Sequence, residues 1–193
     1  MTEDNLYSFV MRGELAKVAL NSTEVVSKHS TSETLSKEYI NTLSLDLMDD
    51  DCVNSAKLMA TVYTAIAAFE NMVRQFVVKI LMEYEGEEWW VRCVSEKIRK
   101  KAENRKNEDD KIRWHAHRGD SMINYVDFGD LAAIMLQNYE WFEVHIVSIE
   151  WARQIFQTLE RSRNVIMHSG KLDKRDIERI GINIRDWISQ VGA

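Results

Sequence analysis

The chain has 193 residues, a formal net charge of −6 at pH 7 and no proline. Its length suggests one or two domains and allows a hydrophobic core without disulfides. The negative charge argues against a protein that coats nucleic acid by bulk attraction, although it leaves room for local basic contacts within a site. Because turns between strands rely on proline and glycine, a proline-free chain with seven glycines is expected to be all-α.

The N-terminus and the cysteines indicate a cytoplasmic protein. The opening residues, Met-Thr-Glu-Asp-Asn, lack the basic-then-apolar pattern of a signal peptide. Cys52 and Cys93 have no metal-ligand spacing and are expected to be reduced thiols. No apolar run approaches the roughly 20 residues that a membrane span needs. We therefore expect no contact with a membrane.

The first 58 residues are predicted to be a helical extension packed on a bundle formed by residues 59–193. Apolar side chains at helical spacing predict helices from Leu6 to Leu20 and from Thr34 to Leu47, joined by a Ser/Thr-rich segment. Three consecutive aspartates, 49–51, are expected to form a solvated turn before the next helix. A divalent cation site is the alternative, but further ligands are lacking.

The next helix is the clearest element. Its apolar residues repeat in steps of four and three, as in a bundle seam: Met59, Tyr63, Ile66, Glu70, Val73, Val77, Ile80 and Tyr84. Glu70 is the exception in this row, because a buried carboxylate is costly unless it is paired. It can pair locally with Arg74, one turn later, or face inward and hold a cation from another helix, such as Arg163.

A densely charged stretch from Glu96 to Arg118 separates this helix from the C-terminal half. Its mixed signs favour a solvated helical arm or an exposed loop, and a surface that follows phosphates is the alternative. His115 and His117 lie two residues apart and have no partner at zinc-site spacing, so they are interpreted as surface residues, with RNA contact left open. No metal site and no cofactor site are predicted.

Two capped helices and a final amphipathic helix complete the predicted bundle. Asp127 is placed to cap one helix, with Asp130 in the capping-box position, and a break is expected near residues 143–145. The next helix carries an apolar row at every fourth position that continues into Arg163: Val147, Trp151, Ile155 and Leu159. After Gly170, an Asp173 cap and a row of isoleucines predict the last helix.

The segment Arg163-Asn164-Val-Ile-Met-His168 concentrates the usable chemistry. Asn164 and His168 share a helix face, and Arg163 lies roughly 140° from His168, within reach of its long side chain. A guanidinium, an amide and an imidazole suit metal-free phosphoryl transfer, such as RNA cleavage by its own 2′-hydroxyl. One chain supplies one histidine here, and a symmetric dimer would supply two. The structural alternative is that Arg163 pairs with Glu70, Asn164 caps and His168 binds the helix C-terminus.

This order of motifs resembles the HEPN superfamily, whose hallmark is Arg, four to six residues, then His, often with Asn after the Arg. The helix with Phe69-Glu70 and Arg74 looks like the family's early helix, which carries an inward polar residue. The stretch from Tyr125 to Leu131, followed by Asn138-Tyr-Glu-Trp-Phe142, is similar to the branch found fused to PIN-type nucleases and in bacterial defence loci. The resemblance covers roughly Met59 to Val191. It implies an all-α bundle that dimerises and, in active members, a metal-independent endoribonuclease used as a toxin or in phage defence.

By position in the family motif, Arg163 and His168 would be catalytic, Asn164 would orient them and Glu70 would support them. The implied partners are RNA, a second copy of the chain and an antitoxin or defence protein. Gly170 stands where toxins paired with nucleotidyltransferases often carry a modifiable tyrosine, so that route of regulation is not expected. Family members without catalysis offer the alternative of a module that binds proteins, nucleotides or RNA.

Overall fold

The computed structural model of the protein describes residues 38–191, and within that range it contains helices and no strand. The all-α prediction is therefore confirmed. The chain divides into two units, Met1–Asn54 and Ser55–Ala193, and the predicted domain boundary at residue 58 stays a prediction. The predicted helix from Leu6 to Leu20 lies outside the described residues, and the packing of the extension on the bundle stays a prediction.

The described part of the first unit contains a short turn that precedes the next helix. Residues 38–42 are helical, after which Ser44 has a left-handed backbone and Leu45–Leu47 form a short 3-10 turn, so the helix predicted to reach Leu47 ends earlier. Asp49 accepts a hydrogen bond from the Cys52 amide at 3.0 Å. That bond lowers the pKa of the Asp49 carboxyl. Asp50 and Asp51 are exposed and lie in the first turn of the next helix, so the turn predicted at residues 49–51 is instead the start of that helix.

Seven helices follow within the described residues: α1 Asp50–Glu85, α2 Trp89–Cys93, α3 Glu96–Lys111, α4 Phe128–Gln137, α5 Tyr139–Phe142, α6 Ile149–Met167 and α7 Lys174–Val191. Short 3-10 segments, Gly86–Glu88 and Met122–Tyr125, lie before α2 and before α4. The predicted break near residues 143–145 falls between α5 and α6. A second break, at Asn138, was not predicted: its side-chain amide donates to the carbonyl oxygens of Cys93 and Ile134 and separates α4 from α5.

Helix α1 supplies the central face of the bundle. Its buried side chains are Met59, Val62, Ile66, Phe69, Glu70, Val73, Val77, Ile80 and Leu81. Tyr63 and Tyr84, both predicted in the seam, are exposed. A strict four-three row averages 3.5 residues per turn, whereas a straight helix has 3.6, so such a row drifts off the buried face.

The stretch Asp50–Cys93 is long and apolar enough, by length and composition alone, to cross a membrane. No such run was expected from the sequence. The buried residues of this stretch pack against the other helices of the bundle, and Glu70 among them is an ionisable group. Only 22% of its most apolar segment is buried, so packing as the central helix accounts for part of its apolar character.

Helices α1, α4, α6 and α7 meet in an aromatic cluster. Trp187 of α7 is 1% exposed and its ring centroid lies 5.7 Å from Phe69 of α1 and 5.2 Å from Phe156 of α6. Phe128, the first residue of α4, lies 5.5 Å from Phe156. Edge-to-face and offset aromatic pairs contribute about 0.5–1.5 kcal/mol each beyond the burial of their area. This cluster fixes α6 against α1 and α4.

Helix α3 is tied to the start of α4 by ion pairs. Lys101 donates to Asp127 and to Asp130 at 2.8 Å each, and Arg105 donates to Asp127 at 2.8 Å. Burial alone would raise the pKa of the Asp127 carboxyl, but these bonds and the Asp130 amide outweigh it, so the pKa lies well below its ordinary value. Ile98 and Ala102 are buried, so the predicted solvated helical arm packs along one side, while most of its charged side chains are exposed.

Candidate functional site

A capping motif marks each end of helix α6. Ser148 accepts from the Trp151 amide at 3.1 Å, so the helix begins at Ile149 and Val147, predicted within it, is exposed. At the other end, the Ser169 amide donates to Ile166 at 2.9 Å and the Gly170 amide donates to Val165 at 2.8 Å. These are the two bonds of a Schellman motif, and they leave His168 as the C-cap.

Gly170 is required by this turn because of space. A Cβ built at this position would lie 2.7 Å from Cγ1 of Val165 and 2.8 Å from its carbonyl oxygen. Ser169 carries the left-handed conformation of the motif, with φ 59°, although glycine is the residue usually found there. After His168, the backbone of Ser169 is therefore strained, and position 170 has no room for a side chain.

Glu70 is paired with both of the arginines that the sequence offered. Its carboxylate is 8% exposed and accepts from Nη2 of Arg74 and from Nη1 of Arg163, the latter at 3.1 and 3.3 Å. Nη2 of Arg74 also donates to the Val126 carbonyl oxygen at 3.0 Å. The local pairing and the pairing between helices had been alternatives, and both occur together.

Arg163 continues the inward row of α6, as predicted. Its guanidinium carbon lies 6.0 Å from the centroid of Phe128, and its side chain is 24% exposed. Nη2 lies 3.9 Å from Glu160, an ion pair that is too long for a hydrogen bond. Arg163 is thus held from α1 by Glu70 and lies close to the aromatic cluster.

Asn164 and His168 line an open groove on the outer side of α6. The groove has a volume of about 730 Å³ and is lined by Gln157, Glu160, Arg161, Asn164, Val165 and His168. Asn164 and His168 are exposed, and neither side chain has a hydrogen-bond partner among residues 38–191. Arg163 is not among the lining residues. The structure therefore brings together Asn164 with His168, and Glu70 with Arg163, as two neighbouring pairs.

Three residues of the groove were missed by the sequence analysis: Gln157, Glu160 and Arg161. Counting back from Asn164 and His168 in steps of three and four would have found them, because such residues share a helix face. Burial raises the pKa of the Glu160 carboxyl, the charges of Asp127 and Glu70 raise it further, and Arg163 partly offsets them. The negative charge of Glu160 is therefore only partly balanced by neighbouring cations.

A second, smaller cavity adjoins the groove between α4 and α6. Its volume is about 300 Å³, and its lining residues are Phe128, Gly129, Ala132, Arg153, Phe156, Gln157 and Glu160. Gln157 and Glu160 line both spaces. The outer face of α6 thus presents a row of polar side chains that passes from the cavity into the groove.

Within the described range, no group of three or more His, Cys, Asp or Glu side chains is arranged to hold a metal ion. His115 and His117 lie in the exposed segment after α3, where Nδ1 of His117 is 3.5 Å from Asp110. Asp49 to Asp51 serve as the start of α1. These residues therefore have structural or surface positions in the described chain.

Comparison with known proteins places most of the second unit in one family. Residues 64–192 match the family described as Swt1-like HEPN. The match confirms the resemblance inferred from the residues between Met59 and Val191. A search of curated proteins and a search of solved structures each returned no match.

Proposed function

This chain belongs to the Swt1-like HEPN family, and on that premise we propose that it is a metal-independent endoribonuclease that acts as a homodimer with a composite active site. HEPN domains are often ribonucleases, so the family supports the general class of activity. The groove of α6 supports the particular site, because it presents an imidazole and an amide whose side chains are not engaged elsewhere in the described structure.

His168 is the proton-transfer group of the proposed reaction. The 2′-oxygen of a ribose attacks the adjacent phosphorus, and the bond from phosphorus to the 5′-oxygen breaks. The products are a 2′,3′-cyclic phosphate and a 5′-hydroxyl. A neutral imidazole takes the proton of the 2′-hydroxyl, and an imidazolium gives one to the leaving oxygen. Asn164, one turn earlier on the same face, orients the phosphate or the imidazole.

Arg163 and Glu70 are proposed to supply positioned charge. The Glu70 carboxylate fixes one side of the guanidinium at 3.1 Å, which leaves the other side toward Glu160 and the surface. A cation held in advance stabilises the charge that develops on the phosphate without the cost of ordering a mobile side chain. Arg161, which lines the groove itself, adds a second cation for the RNA backbone.

A second copy of the chain is proposed because one groove holds one histidine. Glu160, the other proton-transfer candidate in the groove, lies eight residues before His168, about 12 Å along the helix axis, too far to act on the same phosphate. Met167, next to His168, is 64% exposed although it is apolar. A two-fold dimer that covers this end of α6 would bury Met167 and bring two copies of His168 together.

The observation that carries the proposal is the pairing of two features on one helix. His168 and Asn164 face the open groove with unengaged side chains, and Arg163, the residue before Asn164, is held by Glu70 of α1. The biological setting proposed is phage defence or a toxin with an antitoxin partner, in the cytoplasm.

The test is cleavage of mixed RNA by the full chain in the presence of EDTA. We expect products with 2′,3′-cyclic phosphate ends from the wild type, and a loss of at least about 100-fold for His168→Ala and Arg163→Ala, as is typical of general acid–base and charge-stabilising groups. Matched controls are Lys174→Ala and Arg175→Ala, which change exposed residues outside the groove. Unchanged cleavage by His168→Ala or by Arg163→Ala would overturn the assignment of the site, and no cleavage by the wild type would overturn the enzyme.

Two further measurements test the dimer and the setting. Light scattering at micromolar concentration should give twice the mass of the chain, and a monomer would contradict the composite site. Expression should inhibit growth, and the inhibition should vanish in His168→Ala and Arg163→Ala but not in the two controls.

A non-catalytic interaction module is the second candidate, and one observation favours it. Arg163 pairs with Glu70 and does not line the groove that contains His168, so a single chain does not assemble the full motif around one space. In this alternative, the same end of α6 binds a partner protein, a nucleotide or RNA. Binding of RNA without cleavage by the wild-type dimer would select it.

A further inference from the structure

The outer face of α6 carries a longer polar row than the family motif requires. Arg153, Gln157, Glu160 and Arg161 precede Asn164 in helical steps of three and four and line the cavity and the groove. Arg153 and Gln157 are exposed, and within residues 38–191 neither has an ion pair or a side-chain hydrogen bond. These polar groups are therefore available to a ligand.

The smaller cavity has a buried apolar floor and a polar edge. Phe128, Ala132 and Phe156 form its floor and are each at most 3% exposed, and Arg153, Gln157 and Glu160 lie along one side of it. A volume of about 300 Å³ is at the lower end for ligand sites. The polar side suits a group whose edge carries hydrogen-bond donors and acceptors, such as a nucleobase.

The polar side chains along the cavity favour one nucleobase over the others. The Glu160 carboxylate needs donors, since the nearest cation among the described residues is 3.9 Å away. Guanine presents two neighbouring N–H donors on its Watson–Crick edge, which match the two oxygens of a carboxylate. Its O6 and N7 accept from an arginine, the commonest specific contact in base recognition. Cytosine and adenine each offer a carboxylate only one exocyclic amino group.

We propose that this cavity is a specificity pocket that binds an unpaired guanine of the RNA substrate, with Glu160 and Arg153 reading its edges and Gln157 contributing its amide. The pocket rests on the proposed ribonuclease function, and it names the substrate class: single-stranded RNA that contains guanine. Gln157 and His168 are 11 residues apart, about 16 Å along the helix axis. The recognised guanine is therefore not the nucleotide whose phosphodiester bond is cut.

Binding of short RNAs tests the pocket separately from cleavage. The probes are fluorescein-labelled uridine octamers in which one internal position is uridine, guanosine, adenosine or cytidine, and the protein is the full chain carrying His168→Ala, so that the probes stay intact. Fluorescence anisotropy should show about tenfold tighter binding of the guanosine octamer than of the other three, which is the discrimination expected from one good bidentate base contact.

Substitutions then locate the preference. Glu160→Gln, added to His168→Ala, keeps the size of the side chain and should reduce the preference to twofold or less, and Gln157→Ala, at an exposed position, should weaken it as well. The matched control is Glu178→Gln, an exposed glutamate of α7 outside both spaces, which should leave the preference unchanged. Because Gln157 is exposed, its variant keeps the test informative even if Glu160→Gln fails to fold.

The outcomes separate the pocket from the nuclease. Equal binding of all four octamers, preference for another base, or a preference that survives Glu160→Gln and Gln157→Ala would overturn the pocket, even if the wild type cleaves RNA. Guanine preference that depends on these residues, in a wild-type protein that cleaves nothing, would support the pocket and overturn the nuclease.

Discussion

Replacing Glu70 with glutamine tests the central ion pair of the structure. Glutamine has the same shape but no charge, and it can still accept one hydrogen bond through its carbonyl oxygen. In the native protein, the carboxylate is 8% exposed and accepts from two arginines whose side chains are 15% and 24% exposed. The substitution therefore leaves two guanidinium groups, one of them largely buried, without their shared counter-charge.

The size of the effect follows from these contacts. Hydrogen bonds to charged groups contribute about 1.5–3 kcal/mol each when they are buried, and the partial exposure of Arg163 reduces its share by solvent screening. Since glutamine keeps one acceptor, we expect Glu70→Gln to lower the free energy of unfolding by about 2 kcal/mol and Glu70→Ala by about 3–5 kcal/mol. For a chain of this length, 2 kcal/mol corresponds to a fall in Tm of about 4–8 °C.

Urea unfolding of four proteins measures the coupling between the helices: wild type, Glu70→Gln, Arg163→Met and the double variant. We expect a coupling energy of about 1–2 kcal/mol, with Glu83→Gln, an exposed glutamate of α1, as the matched control that changes stability by less than about 0.5 kcal/mol. A coupling energy below about 0.3 kcal/mol would show that the pair does not join α1 to α6, and the argument that Arg163 is a positioned cation would fail.

Three other predictions concern stability and pH. The folded-state pKa of Asp127 is depressed, so the unfolded chain binds more protons in acid. The stability from this group is therefore present above its ordinary pKa near 3.8 and is lost as the pH falls below it. Urea titrations between pH 5 and pH 2 should show a shallower loss of stability for Asp127→Asn than for Asp120→Asn, and equal slopes would refute the cause. Ser169→Gly should raise the free energy of unfolding by up to about 1 kcal/mol, whereas Gly170→Ala should lower it by about 1–3 kcal/mol, and changes of the same sign would contradict the assigned turn. Since the folded-state pKa of Glu160 is raised, its charge destabilises the protein at neutral pH. Glu160→Gln should therefore raise the free energy of unfolding at pH 7 by up to about 0.5 kcal/mol, and the difference should vanish below pH 4. A variant that is less stable than the wild type at pH 7 would be inconsistent with this.

Much of the fold was open to prediction because it depends on local signals. The absence of proline, the capping residue Asp127 and the glycine that follows the last motif residue are signals that act within one turn of the chain, whereas the Ser148 cap was not predicted. Hydrophobic periodicity located the bundle helices for the same reason. Predictions were incomplete where a distant contact decided the outcome: Asn138 ends a helix and also reaches Cys93, and Lys101, although exposed, binds Asp127 and Asp130 of another helix.

The sequence by itself determined that Glu70 must be paired and that Arg163 prolongs an inward row, because both follow from the period of a helix and the cost of a buried charge. Only the tertiary structure decided that one carboxylate serves Arg74 and Arg163 together. It also decided that Arg163 and His168 point into different surroundings. The packing of α1 and α4 against α6 places the ion pair on one side of that helix and leaves a polar groove on the other. The spacing of residues along one helix does not reveal which other helices face each of its sides.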